Sequence, residues 1–418
     1  MSNNNDSEPN KQANAYPQQP YPQQPYGQPT YPQQLYGQPP YGQPPYSQQP
    51  YGQPPYPQQP YVQPPQQLYG QSPIIQNPQI QPTNTQIPPN QLHSNMPPQN
   101  QIPVPQNLPP IDQKKVDEDA ASLHKAIEGK NKDIKTIIDI IAHRTNRERL
   151  AMIESYERQF NNRDLVEDLK SKLSGNLKDT VKALFKEPIE YDCYCLNKTF
   201  KGASISDITP LEIITTSSNY YINLIKQKYQ TIYGKPIETE LSSFRSKILK
   251  VIQLLLSGYK VENPNPDIND CSEKAKLLYN SGEKKAGTNE GIFYEIFCKS
   301  SFEEIKMINN IYTQKYNHDL VKAIEKEFSG HDRRFLKAIV RFAIDPIEYY
   351  ARRINFAVKG LGTNNSLLIR MLVKRYEIDM PQIREAYKRI FNKDMIKDIE
   401  GDTSGDYRKL LVELASHN

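Results

Sequence analysis

The chain has 418 residues, and its 36 prolines and formal net charge of +5 are unevenly shared: 29 prolines lie in residues 1–110, and the first 112 residues hold only Asp6, Glu8, Lys11 and Asp112 as charged side chains. By subtraction, residues 113–418 carry 51 Lys+Arg against 44 Asp+Glu, about +7, in a stretch long enough to bury a large core. No uncharged apolar run approaches the roughly 20 residues that cross a bilayer, Met1–Asn10 lacks the basic and apolar regions of a secretory signal, and the four cysteines (Cys193, Cys195, Cys271, Cys298) lack zinc-ligand spacing and are too few for a disulfide scaffold, as a reducing cytosol would allow.

The first segment, residues 1–113, repeats tyrosine every five residues from Tyr16 through Tyr61, in units such as Y-P-Q-Q-P and Y-G-Q-P-P. Proline removes backbone donors and clashes with the preceding helical turn. With few aliphatic side chains to bury, the expectation is a disordered tail of local polyproline II character. A five-residue repeat is out of step with the three-residue turn of that helix, so the tyrosines point all ways and suit weak multivalent self-association or adaptor docking. Pro54–Tyr61, reading P-P-Y-P-Q-Q-P-Y, resembles the Pro-Tyr sites bound by penta-EF-hand proteins.

From Lys114 onward proline is rare and apolar residues recur at helical spacing, as in Ile134, Ile137, Ile138 and Ile141. Tyr-x-x-x-aromatic occurs four times: Tyr156/Phe160, Tyr229/Tyr233, Tyr312/Tyr316 and Tyr387/Phe391. Twenty-five residues before each tyrosine sits a loop position, Asn131, Ser204, Gly287 or Gly362, spaced 73, 83 and 75 apart. A fixed offset repeated four times predicts an all-α fold of four homologous units, divided as 114–187, 188–266, 267–345 and 346–418. Rings at i and i+4 share one helix face and read as core, so any chemistry falls to the loops.

The fourth unit carries Val358-Lys359-Gly360-Leu361-Gly362-Thr363, and 40 residues past Gly362 comes Asp402 in G-D-T-S-G-D. The third carries Gly282-Glu283-Lys284-Lys285-Ala286-Gly287-Thr288, and 40 residues past Gly287 comes Glu327. Two glycines let a loop turn its carbonyls inward. Three carbonyls and a bidentate carboxylate give five oxygens, which water or lipid phosphate completes to the 6–8 that Ca²⁺ takes. Thr288 and Thr363 are expected to N-cap the following helices.

These loop–acid pairs and the repeat of about 75 residues resemble the annexin family over residues 114–418, most specifically in Lys359–Thr363 and Gly401–Tyr407, and the tail is similar to that of the long-tailed, synexin-like members. The resemblance implies four repeats of about five helices in a curved disc whose convex face binds calcium and anionic phospholipid. It also implies two ligand sets: the carbonyls of Gly282, Lys285 and Gly287 with the Glu327 carboxylate, and the carbonyls of Val358, Gly360 and Gly362 with the Asp402 carboxylate. The first two repeats depart from the pattern. Their loops read Gly129-Lys130-Asn131-Lys132 and Gly202-Ala203-Ser204-Ile205, and their acid positions fall on Lys172 and on Ser243 or Phe244. A lysine puts positive charge where the ion needs negative, so neither is expected to bind Ca²⁺.

The expected function is calcium-dependent, reversible binding to anionic membranes by a cytoplasmic protein that moves to membranes when calcium rises, with the tail promoting vesicle aggregation or partner recruitment. A metal-independent helical scaffold would explain the repetition but not the matched loop–acid pairs. An RNA-granule tether would use the Tyr/Gln tail, but no Arg-Gly repeats and no RRM or KH signature accompany it. No enzyme is expected: His124, His143, His318 and His331 form no triad or ligand spacing, and there is no nucleophile elbow or P-loop.

Overall fold

The computed structural model describes residues 109–129, 133–201, 209–241, 247–258, 260, 262, 265–284 and 286–417. The expected tail lies outside the described residues up to residue 108, as do Lys285, the loop residues 130–132 and 202–208, and both Ser243 and Phe244. The described residues form twenty helices and no strand. They fall into four sets of five, as an all-α repeat fold requires. The first set is α1 (Gln113–Glu128), α2 (Ile134–Ala142), α3 (Asn146–Gln159), α4 (Leu165–Lys172) and α5 (Gly175–Leu184). The second is α6 (Pro188–Lys201), α7 (Thr209–Thr215), α8 (Asn219–Tyr233), α9 (Ile237–Glu240) and α10 (Lys247–Leu256). The third is α11 (Ile268–Ser281), α12 (Glu290–Lys299), α13 (Phe302–Tyr316), α14 (Leu320–Glu327) and α15 (Gly330–Ile344). The fourth is α16 (Pro346–Val358), α17 (Asn365–Arg375), α18 (Met380–Phe391), α19 (Met395–Asp402) and α20 (Gly405–Ser416).

The same local chemistry recurs from set to set. Asp164, Asp319 and Asp394 begin the fourth helices α4, α14 and α19, each carboxylate accepting from backbone N–H groups of the first turn. Thr145 with Glu148 and Ser301 with Glu304 form capping boxes at α3 and α13. The turn from fourth to fifth helix passes through Gly175, Gly330 and Gly405 at φ of 56°, 57° and 62°, a left-handed conformation that favours glycine. This turn leaves Lys172, Glu327 and Asp402 at one structural position, the last residue of the fourth helix.

The aromatic stripe is core, as its spacing predicts. Tyr156, Tyr229, Tyr312 and Tyr387 are buried, and each packs at a tilt against the ring four residues on, at 4.8, 4.6, 4.7 and 5.0 Å between centroids. Burial pushes all four phenols well above their ordinary pKa. In each set the first helix packs on the third: α1 on α3, α6 on α8, α11 on α13 and α16 on α18.

The sets also pack on one another. The first and fourth meet through α2 and α5 against α17 and α20, and the second and third through α7 and α10 against α15 and α12. Arg149, fully buried, donates to the Leu184 carbonyl at 2.8 Å and to Glu377 at 2.9 Å, so one guanidinium joins first set to fourth. Lys374 of α17 donates to the buried Asp192 of α6 at 2.6 Å, and Arg370 to the buried Glu212 of α7 at 2.5 Å, joining fourth set to second. Buried charges are tolerated here because each is paired.

Candidate functional site

The third-repeat loop leaves α11 at Gly282 and enters α12 at Asn289, closed by Asn289 N–H donating to the Ser281 carbonyl at 2.7 Å. Gly287 sits at φ 84°. The Glu327 side chain lies against this loop. A Cβ built on Gly282 would come within 3.2 Å of Glu327 Cγ and 3.2 Å of Phe293 Cζ, so glycine leaves the space the acid uses. The Thr288 hydroxyl donates to Glu327 Oε2 at 2.5 Å. Lys285 is outside the described residues.

The fourth-repeat loop leaves α16 at Val358 and enters α17 past Asn364, whose N–H donates to the Ala357 carbonyl at 2.8 Å. Gly360 (φ 157°) and Gly362 (φ 88°) flank Leu361, which is fully exposed at the tip. Thr363 Oγ1 donates to the Asp402 backbone carbonyl at 2.6 Å. Asp402 Oδ2 is buried with no hydrogen-bond partner. An ionised oxygen in that condition is costly unless something positive meets it.

In both loops, therefore, the threonine after the second glycine reaches the residue 39 positions on. This corrects the capping expectation. The N-caps are Asn289 and Asn364, and Asn364 Oδ1 accepts from Leu367 N–H at 3.1 Å. The threonine hydroxyls donate to the acid position, a longer-range partner that local spacing does not reveal. Glycine-turned carbonyls beside one carboxylate form an all-oxygen donor set suited to a hard cation. Among the described residues no three His, Cys, Asp or Glu side chains gather as a metal cluster, so backbone oxygens would have to supply most of any such site.

The first repeat differs at the matching place. Glu128 at the end of α1 accepts from Arg163 at 2.7 Å, and Arg163 also donates to Asp168 at 2.8 Å. The Arg163 guanidinium and, more weakly, the Lys172 ammonium hold the Glu128 carboxyl below the usual range. Positive side chains thus already serve the acids of this region.

A further group escaped sequence reasoning. Glu283, inside the third loop, accepts from the Tyr312 hydroxyl at 2.7 Å, from His318 Nε2 at 2.7 Å and from Lys326 Nζ at 2.9 Å. Burial works against ionisation here, yet these three donors outweigh it and hold the carboxyl below its ordinary range. A signal was present in the sequence. Asp168, Glu240 and Asp398 stand 12, 11 and 11 residues after the other three stripe tyrosines and accept their hydroxyls. After Tyr312 those places are Ile324 and Ala323, so its hydroxyl needs another acceptor.

The annexin family model matches this chain at residues 118–184, 191–251, 273–339 and 349–414. Annexin A7 of Homo sapiens is 34% identical over 297 residues, which are 71% of this chain and 61% of that protein. The chain thus spans about three fifths of the length of the curated relatives it matches first. A solved structure of annexin III has a TM-score of 0.68 and 32% identity, covering 74% of this chain and 95% of its own. Another, of calcium-bound annexin (Sm)1, has a TM-score of 0.63 and 26% identity, covering 73% and 92%. With four matched repeats laid over four sets of five helices, the chain belongs to the annexin family.

Proposed function

We propose that this protein binds Ca²⁺ in its third and fourth repeats and, through the bound ions, docks reversibly on anionic phospholipid membranes. The proposed ligands are the carbonyls of Gly282, Lys285 and Gly287 with the Glu327 carboxylate, and those of Val358, Gly360 and Gly362 with the Asp402 carboxylate. The observation that carries this reading is the pairing of each glycine loop with an acid from the end of the fourth helix, tied in both repeats by the threonine hydroxyl. Calcium would supply the local positive charge that the buried Asp402 Oδ2 lacks, and would bridge these oxygens to lipid phosphate. The family membership and the calcium-bound annexin relative support it.

A second element is Leu361. A fully exposed leucine between two glycines gains by entering the acyl boundary once the ions have brought the loop down. The first repeat, with Lys172 at the acid position, takes no calcium in this reading, and neither does the second. Basic residues alone contribute only about 1 kcal/mol each near anionic headgroups, so the two ions gate docking. They act together, the second engaging at high effective concentration. The repeats are taken as 114–187, 188–266, 267–345 and 346–418, and the calcium-free protein as cytoplasmic.

Co-sedimentation with phosphatidylserine vesicles against free Ca²⁺ tests the reading. Glu327→Gln and Asp402→Asn should each raise the calcium needed, and the double variant should stay in the supernatant. Wild-type binding by the double variant rejects the assignment. The tail, residues 1–113, is proposed to aggregate vesicles by self-association or to recruit a Pro-Tyr-binding partner of the penta-EF-hand kind. Deleting residues 1–110 should spare vesicle binding and slow aggregation, and an unchanged rate would remove that role.

A further inference from the structure

We infer that Glu283 is a positioning residue for the third-repeat loop, fixing the Gly282–Glu283 peptide before any cation arrives; the inference rests on the calcium reading above. Glu283 directly follows Gly282, whose backbone (φ −123°, ψ −102°) turns the chain out of α11. The peptide joining them carries the Gly282 carbonyl. Although it sits in a surface loop, the Glu283 side chain is only 11% exposed and points inward. Its two oxygens collect three donors from three places: Tyr312 on α13, His318 in the turn after α13, and Lys326 on α14. Both His318 nitrogens face oxygens, the Tyr316 carbonyl at 2.7 Å and Glu283 Oε2 at 2.7 Å, so the ring is held from two sides, and Lys326 brings a full positive charge to the same carboxylate. Charge-assisted hydrogen bonds of this kind are the stronger ones.

The clamp joins both halves of the proposed site. Lys326 precedes Glu327 in α14, so the bond from Lys326 to Glu283 ties the loop to the segment that carries the acid. Within the loop, Gly282 N–H donates to the Leu278 carbonyl at 3.1 Å and Lys284 N–H to the Tyr279 carbonyl at 3.2 Å, bracketing Glu283. The fourth repeat keeps the threonine tie, Thr363 Oγ1 to the Asp402 carbonyl, but has no loop carboxylate to match Glu283. Its Tyr387 hydroxyl donates to Asp398 Oδ2 at 2.7 Å and accepts from Asn355 at 2.9 Å, and the fourth-loop position corresponding to Glu283 is the apolar Val358. A loop already held in place loses less freedom on binding. The third loop therefore fills first, and the fourth follows at higher calcium.

The test uses the full chain in two backgrounds. Asp402→Asn leaves the third loop as the responding site, and Glu327→Gln leaves the fourth. Calcium affinity is read by calorimetry, and loop order by amide hydrogen exchange in chelator without metal. In the Asp402→Asn background, Glu283→Gln should weaken calcium binding about tenfold or more, and the charge-neutral Tyr312→Phe about threefold or more. In the Glu327→Gln background neither change should matter. Without metal, both variants should speed exchange at Gly282 and Lys284 and leave Asn364 unchanged. If the Asp402→Asn protein shows no calcium response, the calcium reading itself fails. If it responds but Tyr312→Phe leaves affinity and exchange unaltered while Glu283→Gln weakens binding, Glu283 acts through its charge alone and the positioning role is overturned. Faster exchange with unaltered affinity overturns it as well.

Discussion

The first and third repeats share one helical scaffold and differ in the residue that ends the fourth helix. Both have five helices, a buried tyrosine paired with the aromatic ring four residues on, and a fourth helix that begins at an aspartate cap and ends before a Ser-Gly turn. At its last residue the first repeat has Lys172 and the third has Glu327. The unit therefore does not need the acid in order to fold. Its stability comes from the buried stripe and the tyrosine tether, and the loop is free to gain or lose an ion site. What the first repeat keeps is a charge network, Arg163 with Glu128 and Asp168, where the third keeps a loop clamp.

The sharpest way to break this comparison is to convert one repeat into the other. Glu327→Lys gives the third repeat the first repeat's charge. Calcium binding at that loop should fall by about a hundredfold or more, since a cation then faces a cation. Melting should move by no more than about 2 °C, because a partly buried acid with one hydroxyl partner contributes little to folding. Calorimetry beside a thermal melt reads both. A large loss of melting temperature would show that the acid is part of the scaffold after all.

The fourth repeat sharpens the comparison from the membrane side. Its loop tip carries Leu361, where the third has Ala286. Leu361→Ala should leave calcium binding in solution unchanged and weaken vesicle binding by up to about tenfold, the order expected when a leucine loses most of its buried area. Equal vesicle affinity would mean that this tip stays outside the acyl boundary. The reverse exchange, Ala286→Leu, should strengthen vesicle binding.

Much of this was legible before any coordinates. Helical spacing and the 25-residue offset from loop to tyrosine report local periodicity, and the distance from Gly287 to Glu327 matches that from Gly362 to Asp402, so four units and two loop–acid pairs could be read directly. The parts that could not be read depend on competition between partners. Thr288 stands two residues before α12, close enough to read as its cap, but a carboxylate returned by the intervening helices is the better acceptor for its hydroxyl. Glu283 has no partner at local spacing, because its three donors come from positions 29, 35 and 43 residues away. Only the missing acid eleven or twelve places after Tyr312 hinted that the loop had taken over a core contact.

The tyrosine tether gives the next contrast. Tyr156→Phe removes the bond to Asp168 at 2.8 Å and the contact with His124 at 2.9 Å, both remote from any proposed ligand. It should cost about 1–2 kcal/mol of stability and leave calcium binding untouched. Tyr312→Phe, whose hydroxyl ends inside a loop, should change both. If the first-repeat variant also shifts calcium affinity, the tyrosine acts through general loosening of the helical repeats and the contrast between them is lost.

The smallest effect concerns pH. Burial opposes ionisation of both Glu283 and Asp168. Tyr312, Lys326 and His318 overcome it at the first, and Arg163 and Tyr156 at the second, so both carboxyls sit below their ordinary values of 4.5 and 3.8. A carboxyl lowered on folding contributes stability that is complete above its unfolded value and is lost as pH falls through the folded one. Each Tyr→Phe variant should therefore be less stable than the parent near neutrality, and each gap should close below about pH 4 as the acceptor is protonated. The two repeats should differ in what loosens with it. In the third, metal-free exchange at Gly282 and Lys284 should quicken over that acid range, because the titrating group is the loop's own anchor. In the first, where Asp168 lies on α4, the change should stay within that helix and its contact with α3. Gaps that hold constant down to pH 3 would mean that neither hydroxyl bond depends on the carboxylate charge, and the clamp would then be geometry without electrostatics.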